Sequence, residues 1–147
     1  MAATIRPIAA GDHDEWVALF TAYGVFYQTE FTEPQMETVW GWLMDPKHPH
    51  NAWVAEVDGE LVGFAHLRQH SDTFTGGPAW YLDDLFTTPA ARGLGVGTAL
   101  IGALRAYADA HGGGTISWIT TDDNLTAQRV YDKLASRARW VTYELSD

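Results

Sequence analysis

The chain has 147 residues, of which 46% are hydrophobic and 13% aromatic, so it is long and apolar enough to fold around a core of its own. It contains no cysteine, which excludes a disulfide framework and a thiolate metal site. The formal net charge of −10 argues against nucleic acid as a partner, since the phosphates would be repelled. The same charge is compatible with a cationic substrate or simply with solubility.

The N-terminal residues lack the basic and apolar regions of a signal peptide, and no apolar run approaches the ~20 residues that span a bilayer. We find no internal repeat and no linker long enough to divide the chain. We therefore expect a cytoplasmic protein that makes no membrane contact and forms one domain over residues 1–147.

The N-terminal third predicts a short strand followed by two helices. Residues 3–8 form the strand. Asp12, with Glu15 three residues later, resembles a capping box that opens a helix, and aromatic residues then recur at helical spacing. A second helix is expected over residues 33–44, with prolines in the loop that follows it.

The middle of the chain predicts three strands. Residues 52–57 and 60–67 are joined by Asp58-Gly59, a dipeptide that favours the positive φ angles of a tight hairpin turn. A further strand is expected over residues 80–87, and the proline at position 89 stops it.

The last third predicts a helix, a strand, a helix and a final strand. A long helix follows a glycine-rich turn and ends at three consecutive glycines. Residues 115–121 are rich in β-branched side chains and form the next strand, and residues 140–145 form the last strand of the chain. The helix between these strands is expected to pack on the core through four residues on its inner face: Ala127, Val130, Tyr131 and Leu134.

The glycine-rich turn predicts an anion site. Gly93, Gly95 and Gly97 lie between a strand and the start of a helix, where the first N–H groups have no intrahelical partner and the helix dipole is positive. Glycine lets the main chain approach an anion closely, which suits a diphosphate. Arg92 adds a positive charge at the rim.

Two nucleotide motifs fit this turn poorly. A P-loop requires a Gly-Lys-Ser/Thr ending, and the turn has no lysine. A dinucleotide fingerprint requires G-x-G-x-x-G after the first strand, whereas here the glycines are spaced G-x-G-x-G and lie late in the chain.

A third motif fits. Arg92-x-x-Gly95-x-Gly97 matches the R/Q-x-x-G-x-G/A signature of the GNAT N-acetyltransferases. Upstream, the segment Tyr-Leu-Asp-Asp-Leu-Phe-Thr-Thr-Pro at residues 81–89 resembles the family's strand and turn, and downstream Asn124-x-x-Ala127-x-x-x-Tyr131 resembles its second cofactor segment. The resemblance extends from Trp80 to Leu134.

The resemblance implies the GNAT fold of α/β class: a mixed, mostly antiparallel central sheet, splayed between strands 4 and 5, with helices on both faces. It implies acetyl-CoA as co-substrate and an amine as acceptor, and it allows a homodimer, since dimers are common in the family. It assigns the coenzyme to Leu85, Phe86, Thr87, Arg92, Gly93, Leu94, Gly95, Val96, Gly97, Thr98, Asn124 and Ala127.

Acetyl transfer to an amine needs a base and an acid. An alkyl ammonium has a pKa near ~10.4 and no lone pair, so it must lose a proton to attack a thioester. Strand alternation sends Asp83 and Asp84 to opposite faces, and the resemblance favours Asp83 as the base, acting through water. The resemblance also places Tyr131 as the general acid for the leaving thiolate.

The acceptor is not specified by the sequence. The segments around Asp83 and Tyr131 look most like the polyamine and protein-lysine acetylating branch. Two alternatives are a non-catalytic acyl-CoA sensor and a nucleotide-binding regulatory module. His48-Pro49-His50 has a metal-like spacing but lacks a third ligand, so we expect no metal site, and His66 and His70 are expected to be structural.

Overall fold

A computed structural model, which describes residues 2–147, places five strands in one sheet in chain order. The strands are β1 (Thr4–Pro7), β2 (His50–Val57), β3 (Glu60–Ser71), β4 (Pro78–Thr87) and β5 (Ile116–Ser117). The helices are α1 (His13–Phe26), α2 (Glu33–Met44), α3 (Val96–Ala110) and α4 (Leu125–Leu134). Strands β1 to β4 pair antiparallel, whereas β5 pairs parallel with β4.

Side-chain alternation divides the core between the two faces of the sheet. On one face, Leu100 and Leu104 of α3 pack on a group that includes Leu67 and Trp80. On the other face, α1 and α2 cover strand residues such as Phe64, which is fully buried. This is the layered arrangement that the sequence predicts, with helices on both sides.

The sheet opens between β4 and β5, as predicted. Only Trp80 and Tyr81 of β4 pair with β5, through Ile116 and Ser117. Beyond Tyr81, β4 continues for six residues with its main chain paired to β3 on one side alone. The predicted fold class is therefore confirmed, and the splay leaves an open strand edge.

The predicted hairpin and second helix are confirmed. Asp58 and Gly59 have φ angles of 51° and 80°, the positive values that a tight turn requires. Helix α2 spans Glu33–Met44, and the Thr32 hydroxyl caps it by accepting from the Gln35 N–H at 3.2 Å.

The predicted capping box at the start of α1 is wrong, although the helix is present. The Asp12 carboxylate accepts two hydrogen bonds from the Arg6 guanidinium, at 2.8 and 2.9 Å, and one from the Ala9 N–H. The Glu15 carboxylate accepts from the Leu61 N–H instead. Both carboxylates therefore bind groups outside the start of α1. For Asp12, the bidentate guanidinium of Arg6 is a stronger hydrogen-bond donor than an N–H group of the helix.

The C-terminal part departs most from the prediction. Strand β5 has two residues where seven were expected, and no strand forms over residues 140–145. None of the four residues expected on the inner side of α4 is buried. Residues 2–147 cover this apolar pattern only in part: Tyr131 packs against the core on the α3 side, whereas Val130 and Leu134 are exposed.

Candidate active site

The glycine turn delivers unpaired main-chain donors to the start of α3. Gly93 and Gly95 have φ angles of 82° and 77°, which L side chains rarely adopt. Within residues 2–147, none of the N–H groups from Gly93 to Thr98 donates to another group of the chain. A Cβ added at Gly93, Gly95 or Gly97 would meet no atom within 4 Å, so these glycines face open space. This is the geometry of an anion-binding helix terminus.

A cavity of about 430 Å³ lies against this turn. It is bounded by the turn, the open edge of β4, the start of α4 and the end of α1. The predicted coenzyme residues that line it are Leu85, Phe86, Thr87, Arg92, Gly93, Gly95, Val96, Gly97, Thr98, Asn124 and Ala127. Leu94 points outward and is not among the lining residues.

Helix α1 provides one wall of this cavity with aromatic residues for which the sequence favoured core packing over enclosure of a substrate. Tyr23, Phe26 and Tyr27 line it, although their helical spacing predicts core packing equally well. The half-exposed Phe26 side chain lies under the guanidinium of Arg92, whose Cζ atom is 5.5 Å from the ring centroid. The Arg92 Nε–H donates to the Thr87 carbonyl at 3.2 Å. These contacts hold the arginine beside the glycine turn.

Asn124 is already engaged in the fold. Its side-chain oxygen accepts from the Ala127 N–H at 3.3 Å and caps α4, while its amide donates to the Thr120 hydroxyl at 3.3 Å. Asn124 lines the cavity because the start of α4 lies beside it. Its contact with a coenzyme remains a prediction.

Tyr131 joins the cavity from α4. Burial raises the pKa of its phenol to about 12, with a smaller contribution from Tyr27. The ring packs edge-on against Trp118 at a centroid distance of 5.4 Å. At neutral pH the hydroxyl therefore keeps its proton.

A β-bulge overturns the expected placement of the two aspartates. His66 of β3 is opposite Asp84 and Leu67 is opposite Leu82, so Asp83 is an extra residue on β4. The bulge breaks the alternation of faces, because it inserts one residue without a cross-strand partner. Asp83 and Asp84 consequently both face the α1 and α2 side, where their partners His50 and His66 lie.

Asp83 is held in an ion pair away from the coenzyme cavity. Its carboxylate accepts from the Arg68 Nε–H at 3.0 Å and contacts His50 Nε2 at 3.0 Å. Burial lowers the pKa of His50 despite the carboxylate, so the imidazole is neutral at pH 7 and its Nε2–H donates to Asp83. Asp83 does not line the cavity, and its role as base remains a prediction.

Asp84 belongs to a buried chain of polar groups. The Trp16 indole N–H donates to His66 Nε2 at 3.0 Å, which leaves His66 Nδ1–H to donate to Asp84 at 2.8 Å. Burial opposes ionisation of Asp84, but the hydrogen bonds that its carboxylate accepts from His66 and Tyr23 outweigh burial and lower the pKa of the carboxyl. Burial and the same carboxylate raise the pKa of Tyr23. Tyr23 thus connects Asp84 to the coenzyme cavity, because it is hydrogen-bonded to the Asp84 carboxylate and lines the cavity.

The histidines that the sequence singled out take part in packing and hydrogen bonds. His48 and His50 stack with Trp42 at centroid distances of 5.2 and 5.6 Å. His66 is buried in the core and His70 is exposed. In the described part of the chain, no three His, Cys, Asp or Glu side chains are placed to hold a metal ion. Nor is any helix there long and apolar enough to cross a membrane.

The sequence pattern of the acetyltransferase (GNAT) family matches residues 16–135, which is most of the chain. The chain belongs to the GNAT acetyltransferase family. The match includes the glycine turn, both aspartates and Tyr131. Membership makes the protein an acetyl-CoA-dependent N-acetyltransferase, as the sequence predicts.

Several GNAT relatives cover nearly the whole chain. The D-amino-acid N-acetyltransferase HPA3 of Saccharomyces cerevisiae is 29% identical over 95% of this chain and 88% of its own length. The ribosomal-protein-alanine N-acetyltransferase of Brucella melitensis biovar Abortus 2308 has the same fold, with a TM-score of 0.83, 24% identity and full coverage of both chains. The aminoglycoside N-acetyltransferase AAC(6')-Iy, in a complex with a bisubstrate analogue, has a TM-score of 0.86 at 20% identity, over 100% of this chain and 99% of its own.

Proposed function

We propose that this GNAT acetyltransferase transfers the acetyl group of acetyl-CoA to a primary amine by direct attack. The observation that carries the proposal is the cavity in which unpaired N–H groups from Gly93 to Thr98 and the Tyr131 side chain meet. The N–H groups are suited to bind the diphosphate of the coenzyme, and the Tyr131 hydroxyl is suited to donate a proton to its sulfur. One cavity therefore serves both parts of the coenzyme.

The chain offers matching groups along the length of the coenzyme. The open edge of β4 from Leu82 to Thr87 presents main-chain groups to the amides of the pantetheine arm, as an added strand would. The glycine turn accepts the diphosphate, and Arg92 adds its charge at the rim. On this proposal, an N–H group near Leu85 and Phe86 stabilises the oxyanion of the tetrahedral intermediate.

The protons balance between the amine and the thiol. The amine nitrogen forms a bond to the acetyl carbon as the carbon–sulfur bond breaks, and Tyr131 gives its proton to the leaving sulfur. The ammonium first loses one proton to solvent, which gives the attacking amine. The second proton, lost by the nitrogen after attack, returns the tyrosine to its starting state through water. Because its pKa is raised to about 12, the phenol is protonated at neutral pH and can donate a hydrogen bond to the sulfur as negative charge develops there.

The carboxylates of the bulge supply the negative charge on the acceptor side. We assign the direct contact with the ammonium to Asp84, since Tyr23 connects it to the cavity and its lowered pKa keeps it charged. Asp83, the base that the resemblance favours, is neutralised in part by Arg68. A water beside Asp84 carries away the first proton, which converts the ammonium into the attacking amine.

The acceptor is a polyamine, another small amine or a lysine side chain on this proposal. The two carboxylates of the bulge and the net charge of −10 both favour a cation. Residues 1–147 acting as one domain, a homodimer and a cytoplasmic location remain predictions.

A specific observation favours amino acids as a second acceptor class. Only the Nε atom of Arg68 bonds to Asp83, and the terminal guanidinium nitrogens make no hydrogen bond within residues 2–147. A guanidinium with free donors binds carboxylates well, and the yeast relative acts on D-amino acids by its name.

The acceptor classes are separated by thiol release from acetyl-CoA with spermidine, a lysine peptide and a panel of D-amino acids. A polyamine or lysine acceptor predicts turnover that Arg68→Gln leaves largely intact. An amino-acid acceptor predicts turnover that Arg68→Gln lowers about tenfold or more, since it removes a charged hydrogen bond. Arg105→Gln on α3, which pairs with Asp109, is the control. Coenzyme binding without thiol release for any amine would contradict the enzyme and support the sensor.

A further inference from the structure

An imidazole and an indole are bonded to each other in the core between α1 and the sheet. Trp16 is fully buried, and only 2% of His66 is exposed to solvent. The His66 ring lies against three aromatic rings, at centroid distances of 5.9, 5.2 and 4.7 Å: those of Trp16, Phe20 and Phe64. A polar ring in such a place costs stability unless its hydrogen bonds are made. The packing also holds the imidazole in one orientation.

The hydrogen bonds of this histidine run in one direction. An indole N–H can only donate, so His66 Nε2, which lies 3.0 Å from the Trp16 nitrogen, is the acceptor. His66 therefore carries its proton on Nδ1, which donates to the Asp84 carboxylate at 2.8 Å. Asp84 is thereby held as an acceptor, the state in which a carboxyl group bears its negative charge.

The β-bulge places Asp84 within reach of both the buried histidine and the cavity. Asp84 lies directly opposite His66, next to the extra residue Asp83. Bulges of this kind re-aim side chains beside active sites. From α1, the Tyr23 hydroxyl donates to the same carboxylate and lines the coenzyme cavity. Two donors on different elements thus fix the orientation of Asp84 before any ligand binds.

We propose that Trp16 and His66 are positioning residues for the acceptor amine. They act through Asp84: the bond from Trp16 selects the tautomer of His66, and that tautomer holds the carboxylate charged and oriented. This role rests on the proposed function, in which Asp84 contacts the ammonium of the acceptor. A carboxylate that is already oriented loses less freedom when it binds a cation, so the KM for the amine is lower than with a mobile carboxylate.

Two replacements of His66 separate positioning from packing. An asparagine amide has an N–H near the position of Nδ1 and can still donate to Asp84, whereas leucine, of similar volume, cannot. We expect His66→Leu to lower kcat/KM for the amine by about 10- to 100-fold, mainly through KM, because a hydrogen bond to a charged group is lost. His66→Asn is expected to recover most of this loss. The Kd of acetyl-CoA should stay unchanged in both variants.

The free energy of unfolding of each variant is measured beside its activity. Asparagine puts a polar amide into an apolar core, so His66→Asn should be no more stable than His66→Leu. A positioning role therefore makes the asparagine variant the more active of the two without making it the more stable. An activity that simply follows stability would overturn the role. Leu61→Ala, in the same apolar group but at the start of β3, is the control and should lose stability while it keeps kcat/KM.

The tautomer of His66 can be read directly in the wild-type protein. The chain has six histidines, and comparison with the spectrum of His66→Asn assigns the His66 signals. Long-range proton–nitrogen correlation spectra at neutral pH are expected to show a ring that carries its proton on Nδ1 and none on Nε2. A proton on Nε2 would overturn the role of Trp16, and this result does not depend on catalysis.

Kinetics of the wild type and of His66→Leu distinguish this role from the proposed function. Wild-type protein that turns over no amine contradicts acetyl transfer itself and removes the positioning role with it. Wild-type turnover that His66→Leu leaves unchanged overturns the positioning role alone.

Discussion

Tyr131 is the residue on which the chemistry of the leaving group depends. Burial raises its pKa to about 12, so the phenol holds a proton until a thiolate forms beside it. We predict that Tyr131→Phe lowers kcat by about 10²- to 10⁴-fold, the usual contribution of a general acid, and leaves the Kd of acetyl-CoA nearly unchanged. Tyr107→Phe, in a side chain that packs on Trp53, is the control. Steady-state kinetics with unchanged turnover in Tyr131→Phe would remove it from the mechanism.

Asp84 makes a second prediction, on stability. Its pKa is lowered in the folded protein, so its contribution is present above the unfolded value of about 3.9 and is lost as pH falls through the folded value. We predict that Asp84→Asn reduces the free energy of unfolding at pH 7 by about 1–3 kcal/mol, since it weakens a charged hydrogen bond to buried His66.

The difference between Asp84→Asn and wild type should begin to shrink below about pH 4, where the carboxyl of the unfolded chain becomes neutral, and should vanish below the lowered pKa of the folded carboxyl. Urea titrations at a series of pH values measure this. Asp122→Asn, in an exposed loop, is the control. A destabilisation that is constant with pH would mean that charge is not the cause.

At the scale of elements, the glycine turn can be tested with a pair of matched variants. Gly95 and Gly59 have nearly equal φ angles, 77° and 80°, and an added Cβ has open space at both. Each change to alanine should cost about 1–2 kcal/mol of stability, because the left-handed backbone is strained. Only Gly95→Ala should also weaken acetyl-CoA binding, by about tenfold, since its Cβ lies at the mouth of the anion site.

Calorimetric titration of both variants with acetyl-CoA checks this. Equal losses of affinity in Gly95→Ala and Gly59→Ala would indicate a general loss of stability instead of a local contact. Affinity unchanged in both would place the diphosphate elsewhere.

Local signals in the sequence predicted most of the elements. Three such signals each require a particular backbone conformation: the Asp58-Gly59 dipeptide, the prolines around α2 and the glycine turn. The elements that they predict are therefore present in the structure. The bulge at Asp83 could not be foreseen, because two adjacent aspartates do not show which one is the extra residue. The aromatic wall from α1 could not be assigned from the sequence for a similar reason, since Tyr23 and Tyr27 fit a core as well as a cavity.

The final strand shows a different limit. The alternation from Trp140 to Leu145 fits a strand, but a strand forms only where a free edge is available to pair with it. Among residues 2–147, the segment 140–145 makes no main-chain hydrogen bond with a strand edge.

At the scale of the whole molecule, the net charge of −10 makes a prediction about the acceptor. A polycationic acceptor is attracted over distances comparable to the Debye length, about 10 Å at 0.1 M salt. We predict that kcat/KM for spermidine falls as salt rises, whereas kcat/KM for a zwitterionic amino acid changes little. Initial rates at several ionic strengths measure the difference, and a fall of equal size for both would point to an effect on coenzyme binding.

The proposed acetyl transfer depends on a coenzyme held by its diphosphate at the start of α3. The most direct measurement is a calorimetric titration of the wild-type protein with acetyl-CoA and, in parallel, with S-acetylpantetheine, which lacks the diphosphate. We predict one acetyl-CoA bound per chain and much weaker binding of the truncated thioester. No binding of acetyl-CoA, or equal affinity for the two compounds, would contradict the account.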